Sequence, residues 1–145
     1  MHSNQPPKRQ SLKAIDLFNF AIACIFLLLS KFSIQLFSFE TVARLYCLNL
    51  LSADAPMDLV ESRPRLPTAL AIKRAARYLP GAYVCLPQAL AGKLMLRSKG
   101  VASLLVLGVK IDERQAMSAH AWLVSDQAII LGGARKDFKS VAVFE

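Results

Sequence analysis

Two stretches of the sequence decide the fold: CLPQALAGKLMLRSKG at residues 85–100 and AHAWLV at residues 119–124. The first reads as a helix, because Pro87 stands in its first turn, where a missing N–H costs little, and Gly100 follows as a stop. The second reads as a strand, because large and small side chains alternate on either side of His120. We therefore expect a helix followed by a sheet that carries the histidine.

The rest of the chain is predicted to form further helices and strands around this helix and strand. We predict an apolar helix over 15–37, helices over 40–51 and 68–79, a buried strand over 101–109, a polar loop over 110–118, strands over 119–124 and 128–131 joined by a short turn, and an edge strand over 141–144. Helices come first and the strands follow, which predicts an α+β fold with an antiparallel sheet.

The length of 145 residues suits one domain of ordinary size. Prolines cluster between residues 56 and 67 and predict the main boundary. We expect a flexible basic tail (1–14), an N-terminal helical segment (15–66) and a catalytic core (67–145), with 15–145 forming one folded unit.

The net charge of +8 favours acidic partners: anionic lipid, nucleic acid or an acidic peptide. No nucleic-acid-binding motif is present, so we expect no nucleic-acid partner.

The apolar segment 15–37 admits two interpretations. Its longest charge-free run, 17–30, has 14 residues, which is short of the roughly 20 that a membrane span needs. No small-x-small cleavage site follows Ser30, which argues against a signal peptide. The segment is either a helix buried against the protein or a partner, or a helix on a membrane surface. In the second case four cations would contact the lipid headgroups: Lys8, Arg9, Lys13 and Lys31.

We expect Cys85 and His120 to be the catalytic residues. A cysteine at a helix start is held as thiolate by the positive end of the helix, whose N–H groups could also hold an oxyanion. The small residues Ala89, Ala91 and Gly92 let this helix approach the sheet closely. Together these features predict a nucleophile and base on a papain-like or transglutaminase-like core.

The other candidates are weaker. Cys24 and Cys47 lie in apolar helical segments and are expected to be packing residues, and His2 lies in the polar tail. The three cysteines form no CxxC pair, so neither a disulfide scaffold nor a zinc site is expected. No metal-ligand cluster or cofactor motif is present, and we expect no cofactor.

The sequence does not identify the group that orients the imidazole of His120. A two-residue hairpin at 126–127 places Gly132 and Gly133 opposite His120, and neither has a side-chain acceptor. Asp126 then sits in the turn, roughly 20 Å away. Asp137 or Asp112 could fold back, or a backbone carbonyl or water could orient the ring.

These residues resemble the leader peptidases of lasso-peptide biosynthesis, a family within the transglutaminase-like superfamily. The resemblance is strongest over 69–145, and the apolar N-terminal helix is similar too. It rests on six motifs: RAARYLP (74–80), CLPQAL (85–90), LMLR (94–97), LGV (107–109), AHAWLV (119–124) and IILGG (129–133).

The resemblance implies a cytoplasmic cysteine protease, without cofactor, that removes the leader from a ribosomally made precursor. Cys85 and His120 match the family's nucleophile and base. Some relatives carry a triad Asp where this chain has Gly132 and Gly133. A chain of this length has no room for the leader-recognition domain of the fused forms. The resemblance therefore implies a separate small leader-binding protein, with an ATP-dependent macrolactam synthetase acting next.

Two alternatives stay open. An amidase or transamidase could use the same fold, since an acyl-enzyme can pass to water or to an amine. A catalytically inactive scaffold, peripheral at the inner face of the membrane, could present the precursor to the cyclase.

Overall fold

The computed structural model of the protein describes residues 14–51, 67–133 and 137–145. Within these ranges there are four helices and five strands: α1 (Ala14–Leu36), α2 (Phe39–Leu45), β1 (Leu50–Leu51), α3 (Pro67–Tyr78), α4 (Cys85–Ser98), β2 (Leu104–Ile111), β3 (Met117–Ser125), β4 (Ala128–Leu131) and β5 (Lys139–Phe144). The architecture is α+β with an N-terminal helix, as the sequence predicts.

The strands form one antiparallel sheet in the order β1-β5-β2-β3-β4. The long β2–β3 hairpin is paired from Leu104 opposite Val124 to Ile111 opposite Met117. The turn between β3 and β4 consists of Asp126 and Gln127, both with positive φ (51° and 61°), the geometry of a type I′ turn. The predicted two-residue hairpin is therefore confirmed.

The sheet has two differently packed faces. Ala121 and Leu123 face the helices and belong to the main core, which α1, α3 and α4 complete. Trp122 lies on the other face, in a smaller cluster with Val106 and Val143. This alternation along β3 is the one that the sequence predicts.

α4 packs closely on the sheet where it has a glycine. A Cβ at Gly92 would overlap Leu131 Cδ1 and would lie 2.8 Å from Leu123 Cδ2. A Cβ at this position would require the Leu131 and Leu123 side chains to move, so this glycine permits the close approach that the small residues of the helix predict.

Three sequence predictions need correction. The helix predicted over 40–51 ends at Leu45, and Leu50–Leu51 pair with β5 as strand β1. Strand β5 is not at the edge, because β1 and β2 flank it. The loop predicted over 110–118 is shorter, since β2 continues to Ile111 and β3 begins at Met117. The first two differences come from pairing between segments distant in sequence, which local patterns do not encode, whereas the third comes from a β2–β3 hairpin that is longer than predicted.

The domain prediction falls partly outside the described residues. Residues 1–13 and 52–66, which cover most of the proposed tail and the proline-rich boundary, are not described. Within the described part, α1 packs against both α3 and α4.

Candidate active site

Cys85 is the first residue of α4, as the sequence predicts, and its side chain is partly exposed. The residue before it, Val84, occupies the N-cap with extended backbone angles (φ −74°, ψ −170°). Valine has no side-chain acceptor, and no side-chain hydrogen bond caps this helix. The partial positive charge at the helix start therefore stays available to an anion.

The backbone N–H groups at the start of α4 differ in whether they have an acceptor. Pro87, the third helical residue, has no N–H, and the N–H of Gln88 points to Val84 O at 3.4 Å. The N–H groups of Cys85 and Leu86 have no hydrogen-bond acceptor within the described part of the chain. These two amides are the ones that could hold an oxyanion.

The Gln88 side chain holds the segment that leads into the site. Its Nε2 donates to the carbonyl of Tyr83 at 2.6 Å, across the start of the helix. Tyr83 is itself buried, with Lys31 Nζ 4.5 Å from the centroid of its ring. The backbone just before Cys85 is thus fixed from two sides. Sequence patterns predict no role for Gln88 or Val84; an apolar residue at the N-cap position is the signal that could have marked Val84.

His120 lies in β3 opposite Gly108 of β2. Its ring lies near Phe138 (5.2 Å between centroids) and Trp122 (6.0 Å). Its Nε2 is 2.5 Å from the carbonyl oxygen of Gly132. A carbonyl can only accept, so Nε2 carries the proton, and in the neutral ring Nδ1 has the free lone pair. This is the tautomer in which Nδ1 can act as a base.

The orienting group is therefore a backbone carbonyl, one of the alternatives that the sequence left open. Gly132 adopts φ +98°, and a Cβ there would lie 2.5 Å from Ala121 O and 2.6 Å from Trp122 Cβ. Only glycine can pass this close to β3. The close approach brings the carbonyl oxygen of Gly132 within hydrogen-bonding distance of the His120 imidazole. Gly132 thus supplies the acceptor from its backbone.

The aspartates considered for this role lie elsewhere. Asp126 is in the β3–β4 turn, and Asp137 forms an ion pair with Lys110 (3.2 Å). Asp112 accepts from the N–H groups of Arg114 and Ala116, each at 2.9 Å, and so closes the β2–β3 loop.

Cys85 and His120 lie at the same end of the sheet. The short segment 99–103 joins the C-terminal end of α4 to the start of β2, where Leu104 pairs with Val124 near the C-terminal end of β3. The N-terminal end of α4, which begins with Cys85, therefore points toward the N-terminal half of β3, which contains His120. Cys85 packs on the helix-covered face, whereas the His120 ring lies on the Trp122 face. Within the described residues no hydrogen bond joins the two side chains. The structure therefore does not bring the two side chains together, because they lie on opposite faces of the sheet, and their pairing stays a prediction.

The remaining cysteines occupy different surroundings. Cys24 is partly buried in α1, and burial raises the pKa of its thiol, which disfavours the thiolate. Cys47 is exposed after α2. Within the described ranges no cluster of three or more His, Cys, Asp or Glu could hold a metal ion.

A cavity of about 650 Å³ lies at the opposite end of α4. Lys93 and Arg97 line it, with Cys47 and Glu145. Lys93 is buried, and its Nζ donates to Ser103 O at 2.7 Å. Burial, with a smaller contribution from Arg97, lowers the pKa of Lys93. This cavity is separate from Cys85 and His120.

Comparison with known proteins agrees with this architecture. The sequence model of the transglutaminase-like superfamily matches residues 27–143, a range that contains α3, α4, β2, β3 and β4. No curated protein and no solved structure matches the chain significantly. The superfamily includes cysteine peptidases and transamidases. Because the match covers most of the sequence, the chain belongs to the transglutaminase-like superfamily.

Proposed function

We propose that this protein is a cysteine peptidase that removes the leader from a ribosomally synthesised lasso-peptide precursor. The observation that carries the proposal is the pair of environments at one end of the sheet. Cys85 begins a helix whose first amides are free within the described part of the chain, and His120 is held with Nε2–H on the Gly132 carbonyl. The resemblance of residues 69–145 to leader peptidases supplies the substrate class.

The proposed mechanism uses an acyl-enzyme. Nδ1 of His120 takes the proton of the Cys85 thiol, and the thiolate attacks the scissile carbonyl carbon. The amides of Cys85 and Leu86 stabilise the oxyanion of the tetrahedral intermediate. His120 then gives its proton to the leaving amine, which is the new N-terminus of the core peptide, and a thioester remains. Water, deprotonated by His120, hydrolyses the thioester and releases the leader as a free acid.

The proposal includes partners. A separate small leader-recognition protein delivers the precursor, and an ATP-dependent macrolactam synthetase uses the freed N-terminus. The site of action is the cytoplasm. The chemistry supports this order, because macrolactam formation at the core N-terminus requires that the leader has already been removed.

The test is cleavage of the precursor, in the presence of its leader-binding partner, followed by mass spectrometry. We expect the wild-type protein to yield free core and free leader, and Cys85→Ala to yield neither. Cys47→Ala is the matched control, because Cys47 is an exposed cysteine at the other end of α4 and should leave the rate unchanged. Equal rates for Cys85→Ala and wild type would contradict the assignment of the nucleophile.

The same experiment separates the alternatives. With a primary amine added, a transamidase would transfer the leader acyl group from the Cys85 thioester to the amine and release the leader as an amide, whereas a peptidase would release it as the acid. The inactive scaffold is favoured by one observation: in the described part of the chain the Cys85 and His120 side chains lie on opposite faces of the sheet and share no hydrogen bond. A wild-type protein that binds precursor without cleaving it would establish the scaffold.

A further inference from the structure

α1 presents a continuous apolar stripe to solvent. Five large side chains along it are 51–72% exposed: Phe18, Ile25, Leu29, Phe32 and Leu36. At 3.6 residues per turn, all five lie within about 40° of one line along the helix. No charged residue interrupts this stripe, which extends over about five turns of the helix.

The opposite side of α1 is part of the core. Ala23, Leu27 and Ser30 are completely buried, and the helix packs on α3 and α4. By length and composition α1 could cross a membrane. A spanning helix would have to leave these contacts and expose the main core, so the geometry favours a helix that stays docked and offers only its outer stripe.

The positive charges near α1 favour binding to an anionic surface. α3 lies beside α1, with Tyr78 edge-on to Phe20 at 5.9 Å between ring centroids. Along its length α3 has three cations and no acidic residue, and Arg74 and Arg77 are exposed. Three further cations, at positions 8, 9 and 13, precede α1 in the sequence. An exposed apolar helix face with cations on a neighbouring helix is the pattern of a helix that lies in the interface of an anionic bilayer.

One cation expected at the headgroups has a different neighbour. The ammonium group of Lys31 lies over the ring of Tyr83, on the side of α1 that meets the segment before α4. Lys31 is therefore not assigned to the headgroups.

We propose that the outer stripe of α1 binds the surface of an anionic lipid bilayer, with α1 parallel to the membrane plane and still packed on α3 and α4. The stripe enters the boundary between headgroups and acyl chains, and the arginines of α3 contact the phosphates. This places the protein peripherally on a membrane, and it is independent of the reaction proposed for Cys85.

The test is sedimentation with vesicles of phosphatidylcholine alone or mixed with phosphatidylglycerol. We expect the wild-type protein to bind the mixed vesicles. The triple variant Ile25→Gln/Leu29→Gln/Phe32→Gln should lower the partition coefficient by at least about tenfold. Arg74→Gln and Arg77→Gln should each lower it about fivefold and reduce its salt dependence.

The matched control replaces three exposed apolar side chains on the sheet, Ile111→Gln/Met117→Gln/Val141→Gln. Their exposed fractions, 63%, 72% and 48%, are close to those of the stripe. This control should bind vesicles like the wild type, and circular dichroism should show that both triple variants are folded.

Three outcomes would overturn the proposal. The wild-type protein could fail to bind mixed vesicles, or the control could lose binding as fully as the α1 variant. The third is a dimer, detected by light scattering, that the α1 variant dissociates, which would assign the stripe to a second copy of the chain.

Discussion

Gly132→Ala should be far more damaging than Gly133→Ala, although the two glycines are neighbours with positive φ. At Gly132 the φ of +98° costs a residue with a Cβ about 1–3 kcal/mol. The added Cβ would also lie 2.5 Å from Ala121 O and 2.6 Å from Trp122 Cβ, and relieving this overlap costs about 1–3 kcal/mol more. At Gly133 the φ is +68° and a Cβ would meet no described atom within 4 Å, so only a left-handed backbone penalty of about 1–2 kcal/mol applies.

The expected loss at Gly132 is thus about 2–6 kcal/mol, a large share of the roughly 5–15 kcal/mol that stabilises a typical domain. Urea denaturation followed by the fluorescence of Trp122, the single tryptophan, measures both variants. Because the Gly132 carbonyl accepts from His120, the folded Gly132→Ala protein should also lose cleavage activity and the Nε2-protonated imidazole signal in ¹⁵N NMR. Losses of stability that agree within about 0.5 kcal/mol at the two positions would refute the close approach of Gly132 to β3.

Two further predictions concern α4. Val84→Thr supplies an isosteric N-cap acceptor for the N–H of Leu86, so it should raise the free energy of unfolding by about 1 kcal/mol while lowering kcat, because the acceptor competes with the oxyanion. Denaturation and cleavage assays on one preparation measure both quantities, and a stabilised variant with unchanged kcat would exclude these amides from the oxyanion site. Gly92→Ala should lower stability by about 1–3 kcal/mol, although alanine is the better helix former, because its Cβ meets the Leu131 and Leu123 side chains. Stabilisation of this variant in thermal denaturation would show that helix and sheet are not in close contact there.

Gly132 serves two purposes in the site. It follows the end of β4 and permits the chain to pass close to Trp122, and the same backbone angle directs its carbonyl to His120. A side-chain carboxylate in this place would stabilise the imidazolium by its charge, whereas a carbonyl provides only a dipole. The backbone acceptor therefore fixes the tautomer of His120 through a dipole and without a charge.

Local features of the sequence determined much of this protein. The start of α4 at Cys85, the alternation that separates His120 and Trp122 from Ala121, and the two-residue turn at Asp126 all depend on residues close together in the chain. Periodicity and turn chemistry are local properties, so they can be read without knowing the fold.

Only the tertiary structure decided the rest. β1 exists because Leu50–Leu51 meet β5, a strand far along the chain, and β5 is internal because β1 covers its edge. The acceptor for His120 is a main-chain atom, which every residue possesses and no sequence motif marks. The direction of the α1 stripe depends on where α3 and α4 pack, because an apolar helix offers several faces that could be buried. Long-range pairing and backbone approach decide these features, and neither leaves a local pattern in the sequence.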